Sequence, residues 1–265
     1  MSLLRLITAR KGAAAVNPAQ AFITAAGITD PTQQSAIIQL VNDLQAYGLW
    51  SKMNAIYPFV GGTANTHKYN LKDPRDLDAA FRLQFNGGWT HSSTGAKPNG
   101  IDGWANTYLK PNPVLPSTNA HMSFYSRTNI QSGNTVDIGE SPTSFTFYLS
   151  AHYSSGAGTP ITNLYNGSAY LGPTASVPNT LGLFTSSRTG NTAWSVYRNS
   201  TALVDRTNPI VSYPTGNVVF GRNQGHEYSA REFAFASLGQ GLNATEVSNL
   251  YTAVQAFQTT LGRQV

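Results

Sequence analysis

The chain reads as an all-β antiparallel sandwich closed by one C-terminal helix, and three observations predict it. From about residue 79 to that helix, short apolar runs alternate with turns rich in Gly, Pro and Asn, without βαβ alternation or an internal repeat. The apolar strand Phe233-Ala-Phe-Ala-Ser237 passes through Gly239-Gln-Gly241 into an amphipathic helix. There Asn243 and Glu246 form a capping-box pattern, and Val247, Leu250, Tyr251, Val254, Phe257 and Leu261 recur at helical spacing. Charged residues make up only 11 % of the 265-residue chain, against roughly 25 % in ordinary soluble domains. Asn, Thr, Ser and Gly take their place, with 13 Tyr and 12 Phe, a profile that suits uncharged hydrogen-bonding sheet faces and excludes disorder.

Taken in order, residues 1–29 are Ala-rich and aperiodic and read as an extended arm in need of a partner. Residues 30–62 read as a helical anchor. Asp30 is the N-cap, Pro31 the first helical residue and Gln33 the N3 position, followed by Ile37, Ile38, Leu40, Val41 and Leu44 on one face. After Gly48, Leu49, Trp50, Met53, Ile56 and Tyr57 suggest a second short amphipathic piece, which Pro58 and Gly61-Gly62 close. This region either caps the sandwich or anchors it to a larger assembly, with Leu4, Ile7, Ile38, Val41 and Trp50 as the anchoring candidates. Residues 63–265 form the sandwich with its helix. Its strands are expected at Ala79–Phe85, Trp104–Leu109, His121–Arg127, Ser144–Tyr153, Ile161–Tyr165, Leu181–Ser186, Ala193–Arg198, Ala202–Asp205, Val218–Gly221 and Tyr228–Ala236. Ser144–Ser150 and Trp194–Tyr197 show the period of two, and Arg198-Asn-Ser-Thr201 makes a hairpin-type connection.

Charge and cysteine usage narrow the partners. The formal charge of +5 comes from basic residues scattered along the chain, with no aromatic-interleaved run of the kind a nucleic-acid groove needs. No Cys is present, so neither a disulfide framework nor a thiolate metal site is expected, in keeping with assembly in a reducing cytoplasm. Met1–Lys11 is interrupted by Arg5 and does not read as a secretory signal, and no apolar run approaches the ~20 residues of a membrane span.

Catalytic patterns are missing. Retaining glycoside hydrolysis needs two carboxyls about 5–5.5 Å apart, and neither Asp137 with Glu140 nor Glu227 with Glu232 has the strand spacing to supply them. His67, His91, His121, His152 and His226 show no metal-type pairing, and no Gly-x-Ser-x-Gly elbow occurs. Asn99-Gly-Ile-Asp-Gly103 makes Asp102 a weak calcium candidate, with a turn as the simpler reading. Binding chemistry is better supplied. Sugars stack on aromatic faces and bond to Asn and Gly groups, so Trp89, His91, Tyr153, Asn223, His226 and Tyr228 are the carbohydrate-binding candidates. Trp104 and Trp194, inside strands, are expected in the core.

Two motifs carry a family resemblance. Gly100-Ile-Asp-Gly103 before the Trp104 strand, and Trp194-Ser-Val-Tyr-Arg-Asn199 before Ala202-Leu-Val204, resemble the opening strand and hairpin of laminin-G-like domains, with Ser200 where Gly is usual. The strand and helix from Phe233 onward resemble their closing pair. Over the whole chain, Ala55–Gly62, Leu71–Ala80 and Asn249–Gly262 are similar to concanavalin A-like lectin/glucanase sandwiches of tailed-phage and prophage structural regions, notably of Bacteroidetes. The resemblance implies a jelly-roll or laminin-G-like sandwich in a non-enzymatic virion protein. Its implied partners are other virion proteins, copies of itself and host-surface glycans, with no direct nucleic-acid contact and no membrane insertion. No cofactor is implied beyond the calcium candidate, and the implied location is a virion assembled in the bacterial cytoplasm. A stand-alone glycan-binding adhesin is the alternative, ahead of a glycoside hydrolase.

Overall fold

The computed structural model describes residues 17–141, 146–154, 159–165, 177–211, 213–223 and 227–265. Among them two antiparallel sheets stack face to face, as the sequence predicts. The first sheet runs β12 (Thr201–Thr207), β11 (Ala193–Arg198), β10 (Gly182–Arg188), β6 (Ala120–Ser126), β14 (Phe233–Gly239), β4 (Gly95–Pro98) and β3 (Trp89–Ser92). β1 (Met53–Tyr57) shares the outer edge of β14 with β4: β1 pairs along its C-terminal half, and β4 pairs at Phe233. The second sheet runs β2 (Gln84–Asn86), β5 (Trp104–Asn106), β13 (Asn217–Phe220), β7 (Ile138–Ser141), β8 (Phe147–Tyr153) and β9 (Thr159–Leu164). Ser144 and Phe145, which the sequence assigns to a strand, lie outside the described residues.

The central strands of the first sheet, β10, β6 and β14, are covered on both faces. The sheet's inner face meets the second sheet around Phe233, whose ring centroid lies 5.3 Å from Phe124 and 5.6 Å from Phe220. Its outer face carries Tyr125, Leu183 and Phe235 and receives the helices α1 (Pro18–Ala26), α2 (Pro31–Ala46) and α5 (Ala244–Thr260). A bulge between Phe233 and Phe235 puts these two rings on opposite faces, where strict period two would put them on the same one. Two short helical turns, α3 (Ala64–His67) and α4 (Pro111–Val114), complete the set.

The caps of the long helices are those the sequence predicts. The Asp30 side chain accepts from Gln33 N, and Asn243 and Glu246 make the reciprocal capping box. Elsewhere the expectations need correcting. Residues 17–27, assigned to the arm, form α1: Asn17 caps it, Pro18 occupies its first turn and Gly27 closes it in the left-handed region. Residues 53–57 are strand, not helix. Ala55 and Tyr57 enter the inter-sheet core while Met53 and Ile56 join the layer under the helices. With both faces of β1 buried, the polar alternation that marks a strand is missing. Residues 78–80 form a 3-10 turn before β2 begins at Gln84, which shortens the strand expected from Ala79.

The apolar face of α2 is used within the chain. Val41 is fully buried against α5 and the sheet, and Ile38 and Trp50 pack on the same cluster. These three side chains pack within the chain, and the helices cover the outer face of the first sheet. Leu4 and Ile7 lie outside the described residues.

Two buried histidines give the fold a pH signature. His121 Nδ1 donates to Gln240 O at 2.6 Å, and burial pushes its pKa down to about 4. His67 lies behind Phe59 with Gly62 N donating to its Nε2, and burial, then the His91 and Arg263 charges, lower its pKa to about 3. Unfolded, each titrates near 6.5, so the unfolded chain takes up protons first as pH falls. Stability is full above about pH 7 and is lost as pH drops below 6.5 toward those folded values. A urea titration at pH 7.5 and pH 5 is expected to show a loss of roughly 2 kcal/mol per histidine at pH 5. An unchanged midpoint would contradict the neutral, buried assignment.

Candidate functional site

The outer face of the second sheet is built by strand alternation. Ala105 and Phe220 point into the inter-sheet core, so Trp104 and Val219 point outward. Trp104 is half-buried there, which corrects its expected core position; Trp194 is buried as expected, at 1 % exposure. The Arg222 guanidinium lies 3.9 Å above the centroid of the Trp104 ring and 6.0 Å from that of Tyr228. Arg222 Nη1 also donates to Tyr228 Oη at 3.4 Å. The three side chains form a stack of alternating aromatic and cationic surface.

Polar groups border this stack. Tyr153, at the end of β8, donates its hydroxyl to Glu227 Oε1 in a short hydrogen bond. Among the described residues, Glu227 Oε2 is buried with no hydrogen-bond partner. Asn223 is fully buried beside Gly139 of β7, and neither its Oδ1 nor its Nδ2 has a partner there. A buried amide with unused donor and acceptor capacity is rare in folded proteins. Val136, Tyr148, Tyr153 and Ile161 form a small apolar cluster of their own, and Val136 forms a β-bridge with Tyr228.

A buried ion pair fixes these loops. Arg231 Nη1 lies 3.0 Å from Asp137 Oδ2, and both side chains are fully buried. Arg231 also donates to the carbonyls of Ile130 and His152, while Asp137 accepts from Ala151 N and Ser229 Oγ.

The other candidates lie elsewhere or have structural tasks. Trp89 and His91 are on β3 at the edge of the first sheet, their rings stacked 6.1 Å apart and packed on Phe85. Trp89 Nε1 donates to the carbonyls of Asn86 and Trp104. His91 meets His67 through their Nδ1 atoms at 3.0 Å, a pairing that no sequence spacing shows. Because His67 Nε2 accepts from Gly62 N, neutral His67 carries its proton on Nδ1 and donates it to His91. Asp102 braces a turn: its Oδ1 accepts from Gly88 N at 2.9 Å and Asn99 Nδ2 at 2.7 Å. Those bonds, the Gly88 amide first, hold its carboxyl below the usual carboxylate range. A Cβ on Gly87, which has φ +67°, would sit 2.1 Å from Asp102 O. Among the described residues no group of three or more His, Asp or Glu side chains converges as a metal site. No described helix is long and apolar enough to cross a membrane. His226 lies outside the described residues. Thus Tyr153, Asn223 and Tyr228 come together, Trp89 and His91 do not join them, and Arg222 is the member that sequence reading missed.

No protein-family model matches the chain, and no curated protein sequence is significantly similar to it. Solved structures do share its fold. Domain 4 of an extracellular GH43 arabinanase from Geobacillus stearothermophilus, solved with arabinotriose, superposes with a TM-score of 0.53 at 14 % identity, covering 75 % of this chain and 98 % of that domain. A botulinum neurotoxin type C structure, from work on its cell entry through two ganglioside molecules, gives 0.56 at 11 % identity over 79 % of this chain. A binding domain of botulinum neurotoxin DC, in complex with rat synaptotagmin II, gives 0.54 at 10 % identity over 78 %. The chain spans about half of each neurotoxin structure, 53 % and 52 %. At these identities the likeness establishes a β-sandwich of the architecture those domains share.

The Tyr153–Glu227 bond gives a direct check on this border. Tyr153→Phe leaves the Glu227 carboxylate without its buried donor and is expected to cost about 1–3 kcal/mol, read as a lower urea midpoint. An unchanged midpoint would remove Glu227 from the structural frame of the site.

Proposed function

We propose that the chain is a non-enzymatic carbohydrate-binding sandwich, displayed by a tailed-phage particle toward host-surface glycans. The observation that carries this reading is the partly exposed Trp104–Arg222–Tyr228 stack on the outer face of the second sheet. Aromatic faces take the apolar face of a sugar ring, while a guanidinium and a phenol hydroxyl bond its hydroxyls. Proteins of the same fold that were studied with arabinotriose and with gangliosides support that ligand class. The sequence resemblance to phage structural-region sandwiches supports the virion setting.

A binding role also accords with what the acidic side chains do. Asp137 is paired with Arg231, Glu140 accepts from Gly216 N, Glu232 is held by Arg127 and Thr94, and Glu227 is bonded to Tyr153. Each is engaged in holding the fold together, where a hydrolase would need an acid/base pair facing its substrate. A free adhesin would use the same surface, and localisation separates the two readings.

A glycan array probed with the full-length chain is expected to return hits that Trp104→Ala and Tyr228→Ala each weaken by about three- to tenfold, with the fold intact by circular dichroism. An array without hits would overturn the binding role. Detection of the chain in purified particles is expected, and its absence from them would leave the free adhesin.

A further inference from the structure

A groove opens at the other end of the sandwich. β6 runs from Ala120, beside this groove, to Ser126; just beyond, Arg127 N bonds Glu232 O next to the Asp137–Arg231 pair. The groove has two parts. One, of about 430 Å³, is walled by Lys52, Asn119, Thr189 and Glu246. The other, of about 300 Å³, is walled by Asn191, Ile210 and Tyr213. Thr118, exposed, lines both parts and joins them.

The wall chemistry suits a neutral, hydroxyl-rich ligand. Lys52 Nζ and Glu246 Oε1 are 2.5 Å apart, with side chains 29 % and 21 % exposed. Their charges cancel, so this wall offers paired donors and acceptors without a net field. Asn119 Oδ1 accepts from Gly241 N at 2.8 Å, which orients the amide and leaves its NH₂ group as donor capacity. At the other end Tyr213 is 58 % exposed. It makes no ring contact or hydrogen bond with another described residue, so its face is available for stacking.

The groove is also held rigid from below. Arg188 is fully buried, and its Nη1 donates to the carbonyls of Gly190, Asn191 and Asn208. Its Nε donates to Leu164 O at 2.8 Å. One guanidinium thereby pins the turn that separates the two parts and the segment leading to Ile210. A preorganised wall lowers the ordering cost of binding.

We infer that this groove is a second carbohydrate site, which takes a neutral oligosaccharide of two or more units. One ring stacks on Tyr213, and the hydroxyls of another bond in the Lys52–Asn119–Glu246 part. The inference rests on the carbohydrate-binding reading for its ligand class, and it makes the chain bivalent, with sites at opposite ends. Two such sites would raise avidity for a dense glycan surface without any new contact.

The test is an NMR titration of the ¹⁵N-labelled full chain with arabinotriose, cellotriose, maltotriose and chitotriose. At least one trisaccharide is expected to shift the amides of residues 118–119, 189–192 and 241–243. Tyr213→Ala is expected to weaken that response about three- to tenfold. Thr118→Trp, which fills the junction at an exposed position, should abolish it, and Trp104→Ala should leave it intact. Shifts confined to residues 104 and 222–228, lost only in Trp104→Ala, would overturn the second site and leave the proposed function standing. Groove shifts with a silent Trp104 stack would support the second site and count against the first. Silence at both ends across the panel would overturn both.

Discussion

The buried pair of Asp137 and Arg231 is the constraint on which one end of this molecule depends. Arg231 leads into β14 of the first sheet, and Asp137 leads into β7 of the second. Their 3.0 Å contact ties the two layers together, beside the backbone bridge of Val136 with Tyr228. The other side-chain bonds of the pair reach three loop groups, Ile130 O, Thr135 Oγ1 and Ser229 Oγ, and two groups at the end of β8, Ala151 N and His152 O. The end of β8 carries Tyr153, and the segment before Ser229 carries Tyr228. Burying two full charges costs several kcal/mol per ion before their attraction is counted, so an apolar replacement could hold the layers as well. What an apolar pair could not do is fix five polar groups from three segments in one geometry.

The other end uses the same device with a different partner set. Arg188 gathers main-chain carbonyls from the 189–192 turn and from Asn208, and burial lowers its pKa only to about 10, so it stays charged at neutral pH. Between these two guanidinium-held ends lie the central strands of the first sheet, β10, β6 and β14, buried on both faces, with helices on one side and the second sheet on the other. That double burial makes the sheet a stiff platform. Arg263 closes the helical layer by donating to the carbonyls of Pro58, Phe59 and Ala234, which locks the tail after α5 onto β14.

What was legible in the sequence was local. The Asp30 and Asn243 caps, the hairpin turn at Asn199 and the apolar face of α5 all depend on residues within a few positions of one another. The misread elements depend on distant partners. β1 looked helical because each of its faces meets a different core, and Trp104 looked internal because outward aromatics on a strand have the same spacing as inward ones. α1 looked like an arm because its segment is Ala-rich and Phe22 and Ile23 are its only large apolar residues. Within the site, Tyr153 and Tyr228 were visible as aromatics beside polar loops. Arg222 was not, since only the fold sets it on Trp104, and the His67–His91 contact spans 24 residues.

The most direct test of this account is the double variant Asp137→Leu with Arg231→Met, measured for both stability and glycan binding. The account predicts a lowered urea midpoint, because Ala151 N, Ser229 Oγ and the Ile130 and His152 carbonyls lose their partners, at about 1–3 kcal/mol for each group left buried and unsatisfied. It also predicts loss of the glycan binding that depends on Trp104 and Tyr228, because the loops are no longer held. Native stability with native binding would contradict the claim that this pair organises the site.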